Sequence, residues 1–331
     1  MTTDLIRPEG ISIVTVSMNR TNHLLDSAAR VSLWHRHREH LIVDWGSQIP
    51  IDRHSLPADP RVRLLRVEGE AEWQLTRAYN FAISQSSFET ILKLDADCWI
   101  DDLEYNPLPL QQRSYCRTIG GGGLNGVFMI TRSNFFSVGG FNEYLKGYGY
   151  DDKDLFLRLD QLMVGTAIPK GIFCTIDHGD LERVSADTIQ TVGERSCKPH
   201  SNVGTLLELI ARMEETKAIN RYLAERLEWS IDSPSTIYRL LGRNQWQAEK
   251  GSIPVPSAEV QHEARVLGNR IYLSILLGVH ERLLDMMIPA SSLQQIRNWM
   301  PLSKGIAWVR ISTLFFGIRV ALWIKKVLMR M

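Results

Sequence analysis

Ile11 to Ser17 is a β-branched run without a charge, the pattern of a strand buried on both faces. Leu24 to Trp34 follows with apolar residues at helical spacing. Leu41-Ile42-Val43 predicts a second short strand ending at Asp44-Trp45-Gly46-Ser47. Arg61 to Val67 predicts a third strand, Trp73 to Ser84 a helix and Ile91 to Leu94 a fourth strand, with Leu124 to Thr131 and Gly171 to Ile176 strand-like further on. Strands that alternate with helices, each closing in glycine or polar residues, predict an α/β domain with a mostly parallel sheet. Such a domain carries its site at the strands' carboxyl ends.

From about Ser201 the strand pattern gives way to long helical ones. Leu206 to Trp229 has apolar residues three and four apart among opposite charges, Ser233-Pro234 and Ser257 are helix-start signals, and Ala258 to Met287 follows. The expected division is an α/β domain over 1–200 and an all-α region over 201–331. The last helix, Ile306 to Met331, combines aromatic bulk with a basic end that lacks acids, and its apolar stretch between Arg310 and Arg319 is too short to cross a bilayer. Lys325, Lys326 and Arg330 suit anionic lipid at a membrane surface. Docking on the protein itself or on a second copy explains the same apolar residues, and Arg310, which interrupts the apolar side, favours it.

Composition narrows the function. The 331 residues carry 38 basic and 37 acidic side chains, a net charge of +1, so no global field attracts nucleic acid. Four cysteines, Cys98, Cys116, Cys174 and Cys197, are widely spaced and suggest neither a zinc site nor a disulfide framework, which fits a reducing compartment. The first ten residues have no apolar core of a secretory signal. A cytoplasmic protein is expected, with contact at the inner face of the membrane as the alternative placement.

Candidate chemistry gathers at two acidic segments. Asp95-Ala96-Asp97 ends the fourth strand; in extended chain the two carboxylates share a side, and two hard oxygen donors there suit a divalent cation carrying phosphates. Gly147-Tyr148-Gly149-Tyr150-Asp151-Asp152-Lys153-Asp154 opens an apparent helix. Acids complement a helix's first turn, but the aromatic and glycine turn before them offers rings for the apolar face of a sugar. The four glycines Gly120 to Gly123 read either as a substrate loop or as a tight turn. His35, His37 and His40 do not share one helical face and read as a solvated helix end.

Four ordered segments resemble the family-2-like glycosyltransferases of GT-A fold, particularly those with a galactosyltransferase-type C-terminal motif, as in β-1,4-galactosyltransferases and chondroitin-type polymerases. They are Thr15-Val16-Ser17-Met18-Asn19-Arg20, Ile42-Val43-Asp44-Trp45-Gly46-Ser47, Leu94-Asp95-Ala96-Asp97, and Gly139-Gly140-Phe141-Asn142-Glu143 through Asp151-Asp152-Lys153-Asp154-Leu155. The resemblance implies an inverting, metal-dependent transfer from a UDP-sugar to a glycan or glycolipid hydroxyl. It implies that Thr15, Arg20, Asp44 and Arg77 hold the nucleotide, with Tyr148 beside the donor sugar. Asp95 would meet the ribose or the metal's water shell, and Asp97 and His178 would bind the metal, Mn²⁺ or Mg²⁺. Asp152 matches the general base and Asp151 the acid that touches the acceptor. This chain has Tyr148-Gly149-Tyr150-Asp151-Asp152 where galactosyltransferases have Trp-Gly-Gly-Glu-Asp, which leaves donor and acceptor identity open. Two alternatives are a glycan-binding protein with an inactive domain, and a sugar nucleotidyltransferase; the second wants a glycine-rich phosphate loop that Ser17 to Asn22 lacks.

Overall fold

The computed structural model describes residues 8–119, 123–176 and 203–278, together with Leu293. β1 (Ile11–Ser17), β2 (Glu39–Trp45), β3 (Val62–Glu68) and β4 (Thr90–Lys93) form on the apolar runs, with α1 (Thr21–Val31) after β1 and α2 (Leu75–Gln85) after β3. β2 is buried along its whole length and β1 in all but its first residue, as strands covered on both faces must be. β1 lies parallel to both β2 and β4, and β2 parallel to β3. Beyond β4 the sheet continues through β7 (Phe128–Thr131) and β6 (Ser114–Thr118), antiparallel, to β8 (Val164–Ile168), parallel to β6. Successive residues of β1 serve opposite faces: Val14 and Val16 join Ala78 and Ala82 of α2, while Ile13 joins Trp34, Leu92 and Leu94. A separate two-stranded sheet pairs β5 (Cys98–Ile100) with β9 (Phe173–Thr175). α3 (Arg132–Ser137) follows β7, and α4 (Asp151–Leu162) starts at the second acidic segment.

The expected all-α region from residue 201 is corrected. β10 (Tyr238–Gly242) and β11 (Gln245–Ala248) form a hairpin whose second strand lies parallel to β3, so the sheet has nine strands in the order β10-β11-β3-β2-β1-β4-β7-β6-β8. The chain divides into two compact units, Met1–Cys197 with Leu223–Pro256 and Lys198–Tyr222 with Ser257–Met331, instead of at residue 200. The hairpin joins the first unit through aromatics: Tyr238 and Trp246 bring their rings to Phe81, with centroids 4.7 and 5.6 Å apart. In the second unit, α5 (Val203–Arg226) as far as Tyr222 and α6 (Ala258–Leu277) match the expected helices. Ser257 caps the latter, Gly278 closes it in left-handed conformation, and Gly268 lets Ile219 approach too closely for a side chain at that position.

The histidines also differ from expectation. α1 stops at Val31, and the chain then turns inward, so His37 and His40 are buried with Trp34 while His35 is exposed. Burial and the neighbouring His37 push His40 down to about 3, so it is a neutral core ring. The segment Ile306 to Met331, with its membrane and oligomer readings, lies outside the described residues. Among the described residues no helix is long and apolar enough to cross a membrane.

Candidate active site

The strand order turns back on itself between β1 and β4, where a doubly wound sheet opens a crevice beyond its carboxyl ends. A cavity of about 620 Å³ lies there, lined by the end of β1, the turn after β4, and the first turn of α4. Three hydrogen bonds fix the turn after β4. The Cys98 amide donates to the Asp95 carbonyl at 3.0 Å, the Ser27 hydroxyl to the Ala96 carbonyl at 2.7 Å, and the Ile176 amide to the Asp97 carbonyl at 2.9 Å. Asp95 and Asp97 both line the cavity as a result.

The two acids have different partners. Asp95 Oδ1 accepts from Lys93 Nζ at 2.7 Å and from the Tyr79 hydroxyl at 3.2 Å. Burial works against its charge, but Lys93 and Tyr79 outweigh burial and hold it below the ordinary carboxylate range. Lys93 is itself fully buried, 4.6 Å above the centre of the Tyr79 ring. Asp97 Oδ2 lies 4.0 Å from Arg20 Nη1, which enters from the start of α1 and also lines the cavity. Sequence reasoning missed Lys93: one lysine in an apolar strand resembles a solvent-facing position, and only its place two residues before Asp95 signals an ion pair.

The second acidic segment arrives through a tightly wound turn. Gly147, Gly149 and Tyr150 all have left-handed backbone, at φ +68°, +87° and +73°. For a tyrosine that conformation costs roughly 1–2 kcal/mol. The Asp154 amide donates to the Tyr150 carbonyl at 2.8 Å and fixes it. The turn tips Asp151 and Asp152 into the cavity and leaves Tyr148 on its rim, 40 % exposed. Asp154 faces elsewhere: it accepts from Arg158 at 2.7 Å, and Arg158 donates to the carbonyls of Val138 and Gly140. Burial, and then the charge of Asp152, push Asp151 up to about 8. Burial raises Asp152 as well, opposed by Lys93 and assisted by Asp95. Asp152 Oδ1 is buried and without a hydrogen-bond partner among the described residues. Gly126 lets these groups meet, because a Cβ there would come within 2.7 Å of Lys93 Nζ and 2.9 Å of Asp152 Oδ2.

Of the expected site residues, the structure gathers Arg20, Asp95, Asp97, Tyr148, Asp151 and Asp152 around one cavity. Three others face elsewhere. Thr15 is buried on the opposite face of β1, where its hydroxyl lies 3.1 Å from His40 Nε2, because successive strand residues alternate. Asp44 is 1 % exposed; its oxygens accept from the Ser47 and Ile51 amides and from Arg66, so it shapes the turn after β2. Arg77 is buried against Glu70 and Thr236, with its guanidinium 5.5 Å from the Trp45 ring centre. His178 lies outside the described residues, as do Gly120 to Gly122; Gly123 lines the cavity. Asp95 and Asp97 present carboxylate oxygens that fit a hard divalent cation, although among the described residues no group of three metal-binding side chains gathers.

A nucleotide-sized cavity at the switch point, with acids on two of its walls, is what a GT-A glycosyltransferase needs. Residues 114–180, about a fifth of the chain, match the family model described as the N-terminal domain of galactosyltransferase. No curated protein matches the chain. Among solved structures it is similar to the catalytic domain of Drosophila β1,4-galactosyltransferase 7 in complex with xylobiose, at 10 % identity and a TM-score of 0.44, over 73 % of this chain and 93 % of that one. It is also similar to a mannosyltransferase from Pyrobaculum calidifontis in complex with GDP-Man and Mn²⁺, at 11 % identity and a TM-score of 0.43, over 95 % and 88 %. A third likeness is to glucosyl-3-phosphoglycerate synthase from Mycobacterium tuberculosis, at 13 % identity and a TM-score of 0.42, over 75 % and 88 %.

Proposed function

We propose that the chain transfers a sugar from a UDP-sugar to a hydroxyl of a glycan or glycolipid, with inversion at the anomeric carbon. The observation that carries the reading is the single cavity in which Arg20, Asp95 and Asp97 face Asp151 and Asp152. Asp152 is the base. The acceptor oxygen attacks the anomeric carbon, its proton passes to Asp152, and the bond to the diphosphate breaks with its electron pair leaving on UDP. A carboxylate whose proton affinity is raised by burial suits that task, and Asp152 lines the cavity that would receive the acceptor. Asp151, protonated up to about pH 8, is a donor to the acceptor sugar. Asp95 and Asp97, with His178, would hold Mn²⁺ or Mg²⁺. Such a cation, when bound, neutralises charge on the departing diphosphate. Arg20 adds a fixed positive charge on the same side.

The test is nucleotide release from a panel of UDP-sugars and GDP-mannose with Mn²⁺. One UDP-sugar should release UDP, EDTA should stop it, and Asp97→Ala should abolish it. Asp152→Asn keeps shape but cannot take a proton, so it should lower transfer by about a hundredfold or more while UDP affinity stays nearly unchanged. Near-normal transfer in Asp152→Asn would move the base, and no release from any donor would leave a glycan-binding protein.

A further inference from the structure

We propose that the acceptor carries an anionic group, a carboxylate or phosphate monoester, received by Arg117 and Lys153 beside Asp152; this rests on the transferase reading above. Arg117, on β6, lays its guanidinium 4.5 Å from the centre of the Phe156 ring, and Phe156 stacks on Tyr115 with centroids 5.8 Å apart. One of its nitrogens reaches Asp160 only at 3.5 Å, and the other oxygen of Asp160 accepts from the Tyr115 hydroxyl. The stack therefore holds a flat, forked cation whose side chain is still 31 % exposed and lines the cavity. Lys153 stands three residues before Phe156 on α4, hence on the same helix face about 5–6 Å away at Cβ. It is exposed, lines the same cavity, and has its ammonium 5.3 Å from the Tyr150 ring centre. Two cations thus converge on the wall that carries Asp152.

The donor diphosphate does not account for them. Arg20 stands with Asp97 at the end of β1, and β6 is three strands away across β4 and β7, about 14 Å at ordinary strand spacing. A neutral sugar would gain little from two converging charges, whereas a guanidinium fork matches the two oxygens of a carboxylate or phosphate. An acceptor hydroxyl at Asp152 would have its acid group within reach of both.

The experiment measures binding to the full chain in the presence of UDP by saturation-transfer NMR, comparing glucuronic acid and glucose 6-phosphate with glucose. It is run beside transfer assays with the same three compounds. The acids should bind at least tenfold more tightly than glucose. Arg117→Gln should reduce that preference about tenfold, Lys153→Gln less, and Arg117→Lys should restore part of it by supplying charge without the fork. Whichever acid shows the larger preference identifies the anionic group. Equal or undetectable binding of the acids overturns the proposal. So does a loss of UDP affinity in Arg117→Gln that matches the lost preference, since the cations would then serve the donor. An acid preference without transfer from any donor would refute the transferase reading alone; transfer without the preference would refute this proposal alone.

Discussion

Lys93 shows how one buried side chain determines the character of a site. It has no exposure to water, and its ammonium is matched by Asp95, about a third of whose side chain stays open to the cavity. Removing one member of a fully buried pair costs about 3–5 kcal/mol, and the partial opening of Asp95 lowers the figure here to about 2 kcal/mol. Lys93→Met should therefore lower the urea midpoint without changing its slope, and the double variant with Asp95→Asn should recover part of the loss. Asp151 gives the chain a pH dependence of the opposite sign to an ordinary surface acid. In the folded state it holds its proton up to about pH 8, whereas an unperturbed aspartate loses it near 3.8. Between these values the folded chain binds more protons than the unfolded one, so this contribution to stability falls as pH rises. Melting temperatures between pH 5 and 8 should decline for the wild type and decline less for Asp151→Asn.

At the level of elements, the Gly139 to Glu143 segment is a latch. Asn80 of α2 accepts from the Phe141 amide and donates to the Phe141 carbonyl and to Glu143 Oε1, at 2.8, 2.8 and 2.9 Å. Glu143 Oε2 takes the Thr236 amide and hydroxyl at 2.8 and 2.6 Å. Gly140 is required, since a Cβ would fall 2.6 Å from Asn80 Oδ1. Glu143→Ala would strand three buried donors, and at about 1 kcal/mol each the loss should be about 3 kcal/mol, read from the urea midpoint. This part of the resemblance thus concerns architecture more than chemistry. The first four strands were legible because each carries an apolar core, Ile13-Val14 in β1, Leu41-Ile42-Val43 in β2, Leu64-Leu65 in β3 and Ile91-Leu92 in β4, and the two acidic segments because carboxylates at strand and helix ends stand out. β8 was hidden because four of its five residues are exposed, and the hairpin because it buries only one aromatic ring per strand. Thr15, Asp44 and Arg77 stand off the cavity lining, a placement that a linear motif, which does not show the face a side chain takes, leaves open.

For the whole molecule, the hairpin decides where the catalytic unit ends. A fragment of residues 8–200 lacks Thr236, Tyr238 and Trp246, which removes ring partners from Phe81 and hydrogen-bond partners from Arg77 and Glu143. A fragment of residues 8–256 keeps them. The longer fragment should unfold cooperatively in urea and resist limited proteolysis, while the shorter one should be cleaved readily; equal resistance of both would show that the hairpin is dispensable.

The same hairpin imposes an order on synthesis. β3 ends at Glu68, yet the strand that covers its open edge begins at Gln245. At translation speeds of about 5–20 residues per second, that edge waits on the order of ten to forty seconds on the ribosome for its partner. During this interval a row of unpaired amides and carbonyls is a template for strands of other nascent chains. The charges along β3, Arg63, Arg66 and Glu68, stand on the strand that waits, where charge discourages such pairing. Arg66 later pairs with Asp44 and Glu68, and Arg63 with Glu39, so the residues that guard the edge during synthesis become ion pairs of the finished sheet.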